Sequence, residues 1–336
     1  MNLKNKTLGY LQLLRLQTSA VTALTPVIGG LITGQHDIIL LFILFLIGFL
    51  YHIYGFVLND YIDIYVDKKS VDLNKKPLIS GIIPKNHALF IALSSGICAF
   101  ILTISFFQFL LPILFLLLAI FLGGIYDLFG KKIPGLDFVL GVGFFFICLM
   151  GASTVSNDFT ILTYLVCLIY FIHIAFNNSV EGGLKDVDHD YLAGAKTIAT
   201  IMGVTVQNKK MKITKKFAAF SYFLKFIFIF LIILLCIQPE INLFNYEKNI
   251  IQIILFIFFS VAIFYTMYKF LYLSLFDRSK LKKLYSLHEM SSYFLLIISL
   301  SPLVELWPLI FLFLFPFVWY IVFNFILYRK FLQPQV

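Results

Sequence analysis

Charge is scarce in this chain. Asp, Glu, Lys and Arg make up 13% of its 336 residues, against about 25% in an ordinary soluble domain, and that scarcity excludes a water-soluble fold. Paired cysteines are absent too. Cys98, Cys148, Cys167 and Cys236 stand singly inside apolar stretches, which excludes a disulfide framework, a zinc site and haem attachment and leaves them as small buried apolar residues. A cleaved signal peptide is the weaker account of the first apolar block, because that block starts only after Arg15 and many more follow.

What the chain has in quantity is hydrophobic side chains, 61% of all residues, with 40 Phe and 18 Tyr. They come in blocks of roughly twenty, the length a helix needs to cross a ~30 Å hydrocarbon core. Ten apolar segments can be read, near 8–34, 38–59, 87–107, 111–126, 135–154, 160–181, 217–237, 249–273, 287–302 and 308–328. The expected fold is therefore all-α and polytopic, one membrane domain over residues 1–336. With the N-terminus inside, 22 of the 26 Lys and Arg residues fall in inside segments (the first nine residues, 60–86, 127–134, 181–216, 274–286 and the C-terminal tail) and one, Lys248, falls outside. That asymmetry sets the topology and puts both acidic groups described next on the cytoplasmic side. The net charge of +9 is a topology signal with some attraction to anionic lipid, and calls for no nucleic-acid partner.

Two acidic groups interrupt this pattern. The stretch "NDYIDIYVD", Asn59 to Asp67, ends the second segment, and "KDVDHD", Lys185 to Asp190, follows the sixth. On a continuous helix advancing about 100° per residue, Asp63, Asp67 and Asp60 lie at about 40°, 80° and 100° from Asn59, on one face. Asp186 and Asp190 share a face as well, with Asn178 and Gly182 continuing the stripe, while Asp188 points elsewhere. Clustered carboxylates at a membrane edge repel one another unless a cation neutralises them. Hard oxygen donors in this number suit Mg²⁺, which takes one or two carboxylates and completes its shell with phosphate and water. Lys75, Lys76, Lys131, Lys132 and Lys185 stand beside the acids as phosphate grips. Asp72, Asp137 and Asp158, each alone, read as solvated loop residues.

These residues resemble the UbiA-type membrane prenyltransferases. "NDYIDIYVD" fits that family's NDxxDxxxD motif, and "DVDHD" fits its DxxxD motif. "LLRLQTSAVTALTPVIGG" is similar to the family's first helix, with Arg15 and then Pro26 and Gly29. "NKKPLISGIIP" is similar to its RPLxxG segment, with Lys76 in place of Arg, and "YDLFGKK" to its YSxxxK loop, with Tyr126 and Lys131 matching and Asp127 in place of Ser. "AGAKTIAT" is similar to its GxxT stretch. The matches run in order from about residue 10 to 205. The resemblance implies nine transmembrane helices around a central cavity, related to soluble isoprenyl synthases. The ten segments counted here leave 287–328, split by Pro302, Glu305 and Pro308, as either a tenth span or a broken last helix. It also implies that Asn59, Asp63, Asp67, Asp186 and Asp190 bind Mg²⁺ and the donor diphosphate, with Asp60 in support of the metal group. Arg15, Lys76, Tyr126 and Lys131 would contact the diphosphate or the acceptor, joined by Asn178 and Lys185 as substrate-binding residues.

The implied reaction is Mg²⁺-dependent transfer of a polyprenyl group from an isoprenyl diphosphate to a lipophilic acceptor in the membrane. Asp63, Asp67, Asp186 and Asp190 carry the catalytic role. Diphosphate departs, an allylic cation forms among aromatic side chains, and an aromatic ring or lipid hydroxyl captures it. Of the histidines, His173 is packing or pocket lining, and His288 with Glu289 is a polar helix start or a group at the site mouth. A cation transporter is the alternative, but it would place acids deep in several spans. CDP-alcohol phosphotransferases need a DG…AR segment that neither acidic group contains, and a passive scaffold has no use for paired acids. The acceptor is a quinone-precursor ring or a glycerol lipid, with a lean toward geranylgeranylglyceryl phosphate, as in archaeal lipid synthesis.

Overall fold

Segments this apolar must satisfy their backbone polar groups internally, which in a membrane means helices. The computed structural model describes residues 3–69 and 73–331, and among these the chain is helical but for loops and one short hairpin. Asp72 lies outside the described residues. A short α1 (Leu3–Leu13) leads into α2 (Leu16–Ile32), α3 (Ile38–Ile62) and the single turn α4 (Ile64–Asp67). Next come α5 (Lys85–Phe106), α6 (Leu110–Phe129) and α7 (Leu136–Ala152). Then α8 (Ile161–Phe176) runs through a π-helical stretch, Asn177–Gly182, into α9 (Gly183–Ala193), followed by the turn α10 (Ile198–Ile201). The antiparallel hairpin β1 (Thr205–Gln207) and β2 (Lys210–Lys212) precedes α11 (Lys215–Cys236), α12 (Tyr246–Leu271), α13 (Arg278–Leu300) and α14 (Leu306–Tyr328).

Each of the ten apolar segments contains one long helix, α2, α3, α5 to α8, and α11 to α14, and the first also takes in the end of α1. Among the described residues seven helical stretches are long and apolar enough to cross a membrane on their own, so the protein is an integral multi-pass membrane protein. The region 287–328 holds two helices, α13 and α14, with Pro302 in the turn between them.

Three local departures matter for the site. The first segment is not one helix. It breaks at Arg15, whose backbone is left-handed (φ 46°, ψ 45°), a conformation that costs a non-glycine residue about 1 kcal/mol or more. The first acidic helix is not continuous to Asp67 either: α3 ends at Asp63 (φ −79°, ψ 1°) and α4 restarts at once. The ninth segment begins at Arg278, about three turns before the apolar run suggests, so His288 and Glu289 lie within α13 and do not start it.

Packing centres on α2, which contacts α3, α7, α8 and α14. A Cβ on Gly29 would collide with the Cys148 carbonyl, and one on Gly151 with the Pro26 carbonyl. Only glycine allows α2 and α7 to cross this closely. Large side chains such as Phe90, Phe121, Ile251 and Trp307 stay exposed on the outer faces of α5, α6, α12 and α14, as a hydrocarbon surround permits. Cys148, Cys167 and Cys236 are buried as expected, but Cys98 is exposed, because its face of α5 looks outward.

Candidate active site

The break at Asp63 builds the first half of the site. The Asp63 N–H donates to the Asn59 carbonyl at 2.9 Å, and the Asp67 N–H to the Asp63 carbonyl at 2.9 Å, so the turn re-forms at once and all three carboxylates stay buried. Burying like charges demands counter-charge. The kink at Arg15 supplies it: Arg15 Nη2 lies 2.7 Å from Asp60 Oδ1. Lys76 Nζ sits 3.0 Å from Asp60 Oδ1 and 2.6 Å from Asp67 Oδ2. Burial alone would lower the Lys76 pKa, but Asp60 and Asp67 together raise it above the ordinary lysine value. Among the described residues Asp63 has no ion-pair partner of this kind. Burial pushes its carboxyl up to about 6, against the pull of Lys131 and with the repulsion of Asp67.

The second half rests on α9. Lys131 Nζ approaches Asp190 Oδ1 at 2.8 Å and Oδ2 at 3.1 Å, and the Lys196 N–H holds the Lys131 carbonyl at 2.9 Å, tying the two loops together. Burial opposes the Lys131 charge, yet Asp190 and Asp63 raise its pKa. Lys185 Nζ is 3.5 Å from Asp186. Asp188 does point elsewhere, to Arg278 Nη2 at 2.5 Å. His189 Nε2 lies 3.9 Å from both Asp67 and Asp186, which measures how closely the two acidic groups converge.

Between them opens a cavity of about 380 Å³. Asn59, Asp63 and Asp67 line it from the first group, Asn178, Asp186 and Asp190 from the second, and Arg15, Lys76, Tyr126, Lys131 and Lys185 also form its wall. Asn178 reaches the wall from within the π-helical stretch and not along a regular i, i+4 stripe; Tyr126 Oη donates to its Oδ1 at 3.4 Å. Such π turns recur at functional sites. Asp60 lies beside the cavity and not in its wall, held between Arg15 and Lys76. Lys75 is exposed, and Lys132 is exposed with its ammonium over the Phe129 ring; neither lines the cavity. The deeper wall is aromatic, with Tyr51, Tyr54, Phe56, Phe144 and Phe294. His173 lines it as well. His288 is fully buried and bonded through Nδ1 to Glu181 Oε1 at 2.5 Å.

Several wall residues were not singled out from sequence. Asp127, which stands where the motif has Ser, is buried in the wall and accepts from Asn59 Nδ2 at 3.3 Å. Asp137, expected as a solvated loop residue, also lines the cavity, whereas Asp158 is exposed as expected. Glu181, Lys282 and Tyr285 complete the set, and Glu289, read from sequence as a polar helix start or a group at the site mouth, lines the wall as well. The signal for Lys282 and Tyr285 was their spacing to Glu289, which is helical but sits in a stretch too polar to read as a span.

Among the described residues no three His, Cys, Asp or Glu side chains already form a closed cation cage. The arrangement instead fits a metal that shares its shell with a ligand. Asn59, Asp63, Asp67, Asp186 and Asp190 offer oxygens around an open cavity, and the unpaired Asp63 carboxyl lacks the counter-charge that a cation would bring.

The UbiA prenyltransferase family model matches residues 23–287. A 4-hydroxybenzoate octaprenyltransferase of Francisella tularensis subsp. tularensis (strain FSC 198) is 26% identical over 263 residues, covering 76% of this chain and 86% of that one. The digeranylgeranylglyceryl phosphate synthase of Saccharolobus solfataricus is 27% identical over 245 residues, covering 69% and 76%. Among solved structures, a digeranylgeranylglyceryl phosphate synthase in membranes aligns with a TM-score of 0.61 at 19% identity, over 90% of this chain and 100% of that one. A UbiA homolog from Archaeoglobus fulgidus bound to GPP and Mg²⁺ aligns with a TM-score of 0.59 at 17% identity, over 88% and 99%. At these identities the structural likeness establishes the fold.

Proposed function

Because this chain belongs to the UbiA prenyltransferase family, we propose that the cavity between its two acidic groups is where it transfers a polyprenyl group from an isoprenyl diphosphate to a membrane-borne acceptor. The observation that carries this is the convergence of five oxygen-bearing side chains, Asn59, Asp63, Asp67, Asp186 and Asp190, with Lys76 and Lys131 on one cavity whose depth is aromatic. A transporter has no use for lysines locked beside acids at one edge. The relatives named above as acting on 4-hydroxybenzoate and on a glyceryl phosphate support a ring or a glycerol-lipid hydroxyl as the acceptor. The excess of Lys and Arg in the loops on this side supports a cytoplasmic site.

Asn59, Asp63, Asp67, Asp186 and Asp190 would hold Mg²⁺. When bound there, the metal supplies charge neutralisation of the diphosphate leaving group. Lys76 and Lys131, held beside Asp67 and Asp190 in the cavity wall, would donate to the same phosphate oxygens. The C–O bond to diphosphate breaks and its electron pair leaves with the diphosphate. Tyr51, Tyr54, Phe144 and Phe294 would line the space around the allylic cation, shield it from water and offer it π electron density. The acceptor's nucleophilic carbon or oxygen then bonds to the allylic carbon and loses its proton.

The test is prenyl transfer by the purified protein in membranes, with geranylgeranyl diphosphate and a panel of acceptors, with Mg²⁺ or with EDTA. Product is expected from wild type with Mg²⁺, none with EDTA, and none from Asp63→Asn. Absence of both product and diphosphate release in folded wild type, across several donor lengths, would return the transporter reading to first place.

A further inference from the structure

The cations of the site are almost all matched. Arg15, Lys76, Lys131 and Lys185 each have a carboxylate oxygen within 3.5 Å. Lys282 lines the same cavity from α13, and among the described residues its ammonium has no ion pair and no hydrogen bond. Lys185, Asp186, Arg278 and Arg15 are the charges that act on it most, three cations to one anion. An ammonium against an apolar-walled cavity, in positive company, calls for an anion from outside the chain.

A second observation stands beside the first. The Tyr285 hydroxyl, one turn along α13, is buried and has no hydrogen-bond partner, and it too lines the cavity. Ser286 lies in the wall next to it, its hydroxyl 3.4 Å from Tyr320 Oη. Farther along the same face, Met290 and Phe294 also line the cavity. Positions 282, 285, 286, 289, 290, 293 and 294 make up the cavity-facing side of α13, with a cation and hydroxyls at its start, Glu289 midway, and Met290, Tyr293 and Phe294 beyond.

We propose that this stripe is the acceptor subsite: Lys282 and Tyr285 bind the anionic head, a phosphate or a carboxylate, of an acceptor whose apolar body lies along Met290 and Phe294. This rests on the prenyl-transfer reading of the cavity. The donor's diphosphate is the other candidate anion, and the placement argues against it. Lys76 and Lys131 are held against Asp67 and Asp190, whereas Lys282 stands on α13 beside Tyr285, away from both pairs in the chain and paired with neither acid. A phosphate on a glycerol lipid and a carboxylate on an aromatic ring satisfy the same ammonium and hydroxyl.

The experiment measures binding to the purified protein in lipid nanodiscs by native mass spectrometry, without donor. The probes are hexadecylglycerol phosphate and 4-hydroxybenzoate, each against its uncharged parent, hexadecylglycerol or phenol, with Mg²⁺-dependent binding of dimethylallyl diphosphate in parallel. Wild type is expected to prefer one charged probe over its parent by about tenfold or more, and which one names the head group. Lys282→Gln should erase that preference while leaving the diphosphate affinity within about twofold. Lys282→Arg should retain most of the preference, and Tyr285→Phe should lower it about threefold. Equal binding of charged and neutral probes by wild type overturns the subsite. So does a Lys282→Gln variant that keeps the preference, or one that loses diphosphate affinity instead. Charge-selective binding through Lys282 in a protein that transfers no prenyl group would uphold the anion site and overturn the proposed function, so the two readings fail separately.

Discussion

The two acidic groups solve the same electrostatic problem differently. In the first, Asp60 and Asp67 are locked by Arg15 and Lys76 through contacts of 2.6 to 3.0 Å, and Asp63 alone is left without an ion pair. In the second, Asp190 is gripped by Lys131 at 2.8 Å while Asp186 meets Lys185 only at 3.5 Å. The first group therefore has fold-holding carboxylates beside one free for a ligand, and the second leaves one tight and one loose. Sharing a motif does not give its acids one environment: Asp60 is held beside the cavity, Asp67 and Asp190 line it already paired with a lysine, and Asp63 and Asp186 are the more open to a cation.

Five substitutions test that contrast. The largest effect on activity is expected at Asp63, where Asp63→Asn should lower turnover by about 100- to 1,000-fold while leaving the melting temperature near that of wild type. A large drop in melting temperature would show that Asp63 is as structural as Asp60. Asp60→Asn should do the opposite in stability. It leaves Arg15 and Lys76 without their shared partner in a buried setting, at a cost of about 3–5 kcal/mol, read by thermal unfolding in detergent. Lys131→Gln should raise the KM for the donor by about tenfold or more, the loss of one charge-assisted contact. Smallest are Lys75→Ala and Lys132→Ala, which should stay within about twofold in turnover because both side chains point away from the cavity; a larger loss would mean that these loops close over the donor.

Much of this was legible in the linear chain because membrane helices announce themselves by composition. Each apolar run holds one long helix, and each metal- or substrate-binding residue expected from the motifs, apart from Asp60, lies in the cavity wall. What misled the reading was polarity inside an element. Residues 274–286 read as a basic inside loop, yet they hold the first turns of α13, whose polar face turns into the cavity. Lys282 was counted as a topology charge for that reason. Asp127 and Glu181 were hidden likewise: an acid in an apolar run shows its purpose only when the facing helix is known.

By itself the sequence determined the class of fold, the order of the helices and the identity of the acids, because hydrophobic length and a spaced motif are local properties of the chain. Only the tertiary structure decided which carboxylates are already neutralised and which are free. It also decided that Arg15 must adopt a left-handed kink to reach Asp60, and that α13 brings an unpaired ammonium into the cavity. Those outcomes depend on distances between residues far apart in the chain, such as the 2.7 Å between Arg15 and Asp60. Electrostatic energy follows separation in space and burial, which no spacing along the chain encodes.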